Sequence, residues 1–319
     1  MTTPHPMSAQ RAPAWKRQVE RSNVRVIRFM VWLSLLAGRR FSRIVVYCIA
    51  AYFFVFGGAA RGASKDYLRR VLGKRPSAHH GFRHVLYFAS VIHDRIYFLK
   101  GRFSLFDIQT HGREEFARDR DKDIPLLLMG AHVGSFEVLR AVGESTGFRV
   151  SMLMYQENAA KLTATLAALD PDPAPIVISL QRVDAMLTAQ QHLAAGRVLG
   201  MLADRRLAHE PADSLEFVGA PAAFPRNPFR LAMILKCKVY FMVGLYLGGN
   251  RYAIHLVPLA DFSQIASVNH ARGDRDARIA TAQRAYVALL EKFTRMELHN
   301  WFNFFDFWDD PKAFKSADE

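Results

Sequence analysis

The chain has only two cysteines in 319 residues, Cys48 and Cys237, and they lie far apart in apolar stretches. Two isolated cysteines provide neither a disulfide framework nor the spacing of a zinc site. A glycine-rich phosphate-binding loop is also missing, and the Pro-, Ala- and Ser-rich residues 1–14 lack the apolar core of a signal peptide. We therefore interpret both cysteines as core residues of a protein in a reducing compartment, and we predict disorder over residues 1–14.

Negative charge is scarce in the first part of the chain. Residues 1–120 contain 22 Lys/Arg and 7 Asp/Glu, whereas residues 121–319 contain 21 and 22. The net charge of +14 is therefore concentrated near the N-terminus. A basic segment can bind nucleic acid, an acidic protein or anionic lipid. Here the basic residues flank long apolar stretches, which favours a membrane surface over nucleic acid.

No apolar run reaches the roughly 20 residues that span a bilayer as a helix. Residues 24–37 are interrupted by Arg25 and Arg28, three positions apart, so we predict an interfacial helix with a cationic stripe. Residues 44–60 form an uncharged run of about 17 residues, bracketed by arginines, that either spans a bilayer or enters it and returns. The alternative is that both segments are buried core helices.

The remaining sequence alternates between strand and helix patterns. It predicts strands at 124–129, 149–155, 175–179 and 198–202; helices at 83–99, 135–142, 183–195 and 277–297; a hairpin of 239–247 and 252–256; and a charged loop at 269–276. This pattern is typical of an α/β sandwich. We predict one such domain over residues 76–319, preceded by basic, apolar membrane-associating helices over residues 15–75.

A histidine and a carboxylate lie at one predicted junction between a strand and a helix. In the sequence GAHVGSFE, residues 130–137, His132 follows the strand and Glu137 falls in the first turn of the helix, where the helix dipole favours an ionised carboxylate. We predict that Glu137 holds one ring nitrogen of His132 and that the other nitrogen acts as a general base. Ser135 lacks the surrounding G-x-S-x-G elbow of a nucleophile, so we interpret it as a helix cap. By itself, the spacing is equally typical of a core histidine near an exposed glutamate.

GAHVGSFE resembles the His-x4-Asp/Glu motif of the lysophospholipid acyltransferase superfamily, in the variant found in lipid A biosynthesis acyltransferases. Two further segments resemble that family in order and spacing: LADRR at 202–206 and FVGAPAAFPRNP at 217–228. The similarity covers about residues 15–310. It implies a mixed sheet flanked by helices and a catalytic pair of His132 and Glu137. The substrate-binding residues that it implies are Asp204, Arg205, Arg206, Gly219, Phe224, Pro225 and Asn227.

The sequence departs from the family pattern at two places. Asn227 stands where the family has glycine, and we expect asparagine to keep the turn because it tolerates positive φ. The sequence FPRNP lacks the glutamate found in glycerol-phosphate acyltransferases, which favours a lipid or saccharide hydroxyl as the acceptor. Residues 15–22 and the aromatic run 300–308 resemble a subgroup encoded in aryl polyene and flexirubin pigment clusters. The alternative for the aromatic run is a structural strap or an interfacial belt.

The resemblance implies an enzyme of the inner membrane, at its cytoplasmic face. It would transfer a fatty or polyene acyl chain from an acyl carrier protein or coenzyme A thioester to a hydroxyl of a lipid or glycolipid, without a metal or other cofactor. Arg205 and Arg206 would bind a phosphate of the donor or of the lipid. Backbone amides at the start of the Ser135 helix are candidates for stabilising the oxyanion.

Two other functional classes remain open at this point. A non-catalytic membrane adaptor could keep the same fold and dock an acyl carrier protein, and a nucleic-acid-binding protein could use the basic first third of the chain. His80 and His84 are four residues apart, but no third ligand is near in sequence, which argues against a metal site. We interpret the stretch that precedes His79 as a polar linker.

Overall fold

The structure, a computed structural model, describes residues 24–138, 143, 148–155, 176–206, 210–264 and 272–308. The prediction of disorder over residues 1–14 and the second half of the predicted helix over 135–142 lie outside these residues. The elements are, in chain order, α1 (Val24–Phe56), α2 (Gly58–Leu72), α3 (Ala78–Leu99), a 3-10 turn (Phe103–Leu105), β1 (Asp107–His111), α4 (Arg113–Arg120), β2 (Leu126–Gly130), β3 (Val150–Met154), β4 (Ile176–Ser179), α5 (Ala185–Ala194), β5 (Val198–Leu202), β6 (Ala212–Phe217), β7 (Ala220–Pro225), α6 (Asn227–Ile234), β8 (Lys238–Tyr246), β9 (Arg251–Asp261) and α7 (Arg272–Met296).

The predicted α/β architecture with a mixed sheet is confirmed. Seven strands form one sheet in the order β1-β9-β8-β2-β5-β3-β4, and β6 and β7 form a separate hairpin. Strands β8, β2, β5, β3 and β4 are parallel, whereas β9 runs antiparallel to β8 and β1 runs parallel to β9. The predicted hairpin is therefore the β8–β9 pair.

Both faces of the central sheet are covered, which explains why its strands read as continuous apolar runs. In β2, Leu127 and Met129 join the core beneath α2, α5, α6 and α7, whereas Leu126 and Leu128 join the core beneath α3 and α4. The strand predictions at 124–129, 149–155, 175–179 and 198–202 are confirmed by β2, β3, β4 and β5.

Several elements differ from the predictions. Strands β1, β6 and β7 and helices α4 and α6 were not predicted, because they are short and only partly buried. The predicted loop at 269–276 is wrong for its second half, since α7 begins at Arg272. The first turns of α7 are exposed and charged, with an Asp274–Arg278 ion pair at 3.1 Å. They therefore lack the apolar periodicity from which a helix is predicted.

Helix α1 carries large apolar side chains on the surface. It bends at Gly38, which has φ 76° and ψ 168°. Among the described residues, no single helix is long and apolar enough to cross a bilayer, although α1 from Val31 onward and α2, bent by 91°, meet that criterion as a pair.

The prediction that both cysteines are core residues is wrong for Cys48, which is exposed on α1, and right for Cys237, which is buried.

His84 joins three parts of the structure, and it lies within the helix predicted over 83–99. It lies in α3 and is 0% exposed. Its Nδ1 is 2.7 Å from the Ser64 hydroxyl of α2, and its Nε2 donates to the carbonyl of Trp301 at 2.8 Å. Burial lowers the pKa of His84 to about 4, although the bond to Trp301 opposes that effect. His84 is therefore a neutral structural histidine.

We expect the protein to lose stability in acid partly through His84. Its folded-state pKa lies below the usual value of about 6.5, so the unfolded chain binds the proton more tightly and stability falls as pH drops from about 6.5 towards 4. The loss attributable to His84 is at most about 3 kcal/mol. Urea unfolding of wild type and His84→Gln at pH 7 and pH 4.5 measures it, with exposed His79→Gln as the control. An unchanged pH dependence in His84→Gln would contradict the assignment.

Candidate active site

His132 and Asp204 follow neighbouring parallel strands at the same distance beyond each strand end. Strand β2 ends at Gly130 and β5 at Leu202, and these two residues are paired across the ladder. The Ala203 amide continues the ladder by donating to the carbonyl of Gly130 at 3.0 Å. The two functional side chains therefore lie side by side at the carboxyl edge of the sheet, where ligands bind in α/β proteins.

The Asp204 carboxylate accepts three N–H groups, two of which belong to His132. Its Oδ1 is 2.8 Å from His132 Nδ1, and its Oδ2 accepts the His132 backbone amide at 3.0 Å. Oδ2 also accepts the indole N–H of Trp301 at 3.4 Å. A carboxylate on Nδ1 fixes the tautomer that carries its lone pair on Nε2. No hydrogen bond from the described residues occupies Nε2, which is therefore the available base.

The structure does not show the predicted pairing of Glu137 with His132. Glu137 Oε1 lies 2.7 Å from Arg95 Nε on α3, an ion pair by distance but not a well-aligned hydrogen bond. Glu137 Oε2 accepts the Ser135 hydroxyl at 3.3 Å. The expected geometry fails because Asp204 already occupies Nδ1. Sequence proximity favoured Glu137, whereas the register between β2 and β5 selects Asp204.

The protonation states of Asp204 and His132 suit general-base catalysis. Burial by itself would raise the pKa of Asp204, but the nearby His132, its hydrogen bonds and Arg205 lower that pKa to about 2. Burial and the charge of Arg205 lower the pKa of His132 below its usual 6.5, and the opposing effect of Asp204 is smaller. Asp204 is therefore ionised and His132 neutral at neutral pH, with a third of the His132 side chain still exposed.

The segment 132–135 is held on both sides by backbone hydrogen bonds. The amide of Gly134 donates to the carbonyl of Asn300, and the amide of Ser135 donates to the carbonyl of Gly244, each at 2.8 Å. The carbonyl of His132 accepts the amide of Phe302 at 2.8 Å. The prediction that amides at Ser135 stabilise an oxyanion is therefore wrong for Gly134 and Ser135, because both N–H groups are already used.

The aromatic run 300–308, here named the C-terminal strap, contributes contacts that the catalytic predictions missed. Asn300 uses its side-chain amide to bond the Tyr246 backbone N–H at 2.8 Å and carbonyl at 3.0 Å. Trp301 is fully buried, bonds Asp204, and packs edge-on against Phe217 with ring centroids 5.0 Å apart. The structural-strap alternative fits this part of the chain. The concentration of asparagine and aromatic residues was the available sequence signal.

Arg205 is turned towards the strap. Its Nη2 donates to the Phe302 carbonyl at 3.2 Å, and its guanidinium lies 5.0 Å from the ring centroid of Phe305. Its Nε is buried and has no hydrogen-bond partner among the described residues. Arg206 is partly exposed at the next position.

The other predicted substrate-binding residues build the support under the site. Gly219, with φ 75°, and Val218, with φ 54°, form the two-residue turn of the β6–β7 hairpin. Phe224 is fully buried, and the carbonyls of Phe224 and Pro225 accept Gln283 of α7. None of these contacts places Phe224 at a ligand surface.

The expectation that Asn227 keeps a turn with positive φ is wrong. Asn227 begins helix α6, directly before Pro228, and it is absent from the residues with positive φ. A proline in the first helical turn has a suitable φ and needs no hydrogen-bonding N–H, which explains why the chain enters a helix here. Asparagine therefore needs no positive φ at this position.

Two comparisons bear on the resemblance drawn from the sequence. The chain matches no protein-family model, and a search of curated proteins gives no match. Among the described residues, no group of three His, Cys, Asp or Glu side chains is arranged to hold a metal ion.

Proposed function

We propose that this protein is an acyltransferase that moves an acyl chain from an acyl carrier protein or coenzyme A thioester to a hydroxyl of a membrane lipid or glycolipid. The observation that carries the proposal is the His132–Asp204 pair, with Nε2 of the histidine available at the carboxyl edge of the sheet. The absence of a G-x-S-x-G elbow around Ser135 and the full burial of Ser135 favour direct transfer without an acyl-enzyme.

The reaction needs one base that takes a proton from the acceptor hydroxyl and later gives it to the departing thiolate. His132 Nε2 takes the proton of the acceptor hydroxyl as the oxygen attacks the thioester carbonyl, and Asp204 stabilises the resulting imidazolium. When the tetrahedral intermediate collapses, the carbon–sulfur bond breaks and Nε2–H protonates the departing thiolate, so that an ester and a free thiol result. Arg205, whose positive charge acts on His132, is our candidate for attracting an anionic group of the donor.

The surface of α1 supports a lipid environment for this reaction. In its second half, the fully buried positions carry small or medium-sized residues, Ser42, Val46 and Ala50, and Phe54 packs against Phe82 of α3. The outward-facing residues are large and apolar: Phe41, Ile44, Tyr47, Tyr52, Val55 and Phe56. Phe41 is 69% exposed whereas Ala50 is 0% exposed, the reverse of a helix that packs its large side chains into a core. Such a helix is stable when lipid covers its outer face.

Two arginines fasten α1 to the domain that carries the site. Arg39 binds the buried carboxylate of Asp94 on α3 through two N–H groups, at 2.7 and 2.8 Å. Arg43 donates to the Tyr246 hydroxyl at 2.9 Å and to the Gly249 carbonyl at 3.2 Å. An α1 helix in the bilayer surface would therefore hold the sheet at a fixed distance from its lipid substrates.

We expect Phe41→Gln, Ile44→Gln and Val55→Gln, combined in one variant, to weaken binding to phospholipid vesicles by at least about 100-fold, because each fully buried apolar side chain contributes about 1.5–3 kcal/mol. Co-sedimentation with the vesicles measures the binding of each variant. The control replaces three exposed apolar residues elsewhere, Leu187, Ile234 and Met296, with glutamine. Equal losses in both variants would contradict a specific role for α1.

The function itself is tested by incubating radiolabelled acyl carrier protein or acyl-coenzyme A with extracted inner-membrane lipids. The detergent-solubilised wild type is compared with His132→Ala. We expect a labelled lipid with the wild type and only background labelling with His132→Ala. Equal labelling with both proteins would contradict the site, and vesicle and carrier binding without any labelling would favour the non-catalytic adaptor.

A further inference from the structure

A second cluster of charged residues lies at the amino ends of the strands, opposite the carboxyl ends that carry the candidate active site. Arg149 directly precedes β3 and Arg197 directly precedes β5. The two strands are paired at Val150 and Val198, and the amide of Val198 donates to the carbonyl of Arg149 at 3.0 Å. Arg149 and Arg197 are therefore lateral neighbours at the amino edge. Asp204 is seven residue positions beyond Arg197 along extended chain, about 23 Å, so this cluster is distinct from the candidate active site.

The exposed Arg149 and the partly exposed Arg197 line an open surface cavity of about 320 Å³ together with Ala195 and Gly196. Like charges in directly opposed strand positions destabilise a sheet. Burial and the proximity of Arg149 both lower the pKa of Arg197, which shows that neither effect is offset by an acidic neighbour. Among the described residues, no carboxylate pairs with either guanidinium. A cavity between two uncompensated cations is electrostatically complementary to an anion.

One of the two guanidinium groups is already oriented. Nε of Arg197 donates to the hydroxyl of Ser151 at 2.7 Å, and the same hydroxyl bonds His192 Nδ1 at 2.9 Å. Ser151 is fully buried in β3. This arrangement fixes the Arg197 side chain at Nε and leaves its terminal nitrogens unbonded within the described residues. Arginine in this state binds phosphate oxygens through two N–H groups.

We propose that Arg149 and Arg197 form a binding site for a phosphate or phosphomonoester dianion. Two positive charges match the charge of a dianion, and the cavity volume falls at the lower end of the range for small-ligand pockets, about 300–1,000 Å³. The bound dianion removes the repulsion between the two cations and so stabilises the β3–β5 edge. The site is independent of the acyl transfer proposed for His132.

Thermal unfolding of the full-length protein in detergent tests the site, with inorganic phosphate added at constant ionic strength. We expect a saturable rise in Tm with phosphate beyond that given by chloride. Arg149→Glu replaces the repulsion by attraction to Arg197, so we expect a higher Tm without phosphate and loss of the phosphate effect. Arg149→Gln should weaken phosphate binding by about tenfold or more. The matched control is Arg284→Glu, at an exposed position on α7, and should keep the phosphate effect.

The source of the phosphate group is tested in a second arm. Vesicles of phosphatidylcholine with and without phosphatidic acid are compared for binding of wild type and Arg149→Glu. A loss confined to phosphatidic acid vesicles supports the site with a lipid headgroup as ligand, whereas unchanged vesicle binding with a lost phosphate effect supports it with a soluble phosphate. The proposal is overturned if phosphate raises Tm no more than chloride, or if Arg149→Glu keeps the effect.

Discussion

Replacing Asp204 with asparagine is expected to lower the rate of acyl transfer by about 10²–10⁴-fold, close to the loss from His132→Ala. Asparagine is nearly isosteric with aspartate but has no charge to stabilise the imidazolium. Its amide group can also present an N–H to Nδ1, which favours the tautomer with the proton on Nε2. The base would then be in the wrong form for most molecules. Single-turnover transfer from acyl carrier protein measures the loss.

The control for this prediction is Glu137→Gln. Because Glu137 binds Arg95 and Ser135 and not His132, we expect its replacement to reduce transfer within about tenfold. A pH profile adds a second readout. Transfer by the wild type should fall as pH drops through the lowered pKa of His132, since protonated Nε2 accepts no proton. Asp204 raises that pKa, so Asp204→Asn should move the acidic limb to lower pH. A greater loss for Glu137→Gln than for Asp204→Asn would contradict the assignment.

The sequence analysis singled out both His132 and Asp204, but it assigned Asp204 to substrate binding and not to a pair with His132. His132 and Asp204 each follow an apolar strand and an intervening alanine, in GAH and LAD, so a common position at the sheet edge was foreseeable. Their contact depends on β2 and β5 being adjacent, although β3 and β4 lie between them in the chain. Strand order is a property of the whole packed domain. Sequence proximity therefore suggested Glu137, five residues from His132, as the partner.

For α1 and for the C-terminal strap, too, the contacts depend on long-range packing that the local sequence does not show. Composition predicted two apolar helical segments, 24–37 and 44–60, where the structure has the single bent helix α1, and only the packing of Ser42, Val46 and Ala50 against α3 shows that the large side chains lie outside. Likewise, the aromatic run at the C-terminus was visible, whereas the bond from Trp301 to Asp204 requires residues almost 100 positions apart to meet. Local pattern predicts the elements, and long-range packing assigns their contacts.

Gly244→Ala is expected to destabilise the protein by about 3 kcal/mol or more, because a buried backbone has little freedom to move away from an added methyl group. A Cβ at Gly244 would lie 2.3 Å from the carbonyl oxygen of Ser135 and 2.4 Å from Val138 Cγ1. The approach is mutual, since a Cβ at Gly134, whose φ is 62°, would lie 2.0 Å from the carbonyl oxygen of Gly244. Either methyl group would push β8 away from the segment that carries His132.

Chemical unfolding of Gly244→Ala and Gly62→Ala separates this effect from the general cost of removing a glycine. Gly62 lies in helix α2 with nothing within 4 Å of its Cβ position, so we expect alanine there to be neutral or stabilising by up to about 1 kcal/mol. Any folded Gly244→Ala should also transfer acyl groups slowly, because a shift of about 1 Å at a catalytic group can cost about 10²-fold in rate. Wild-type stability in Gly244→Ala would mean that β8 does not fix the position of the segment that carries His132.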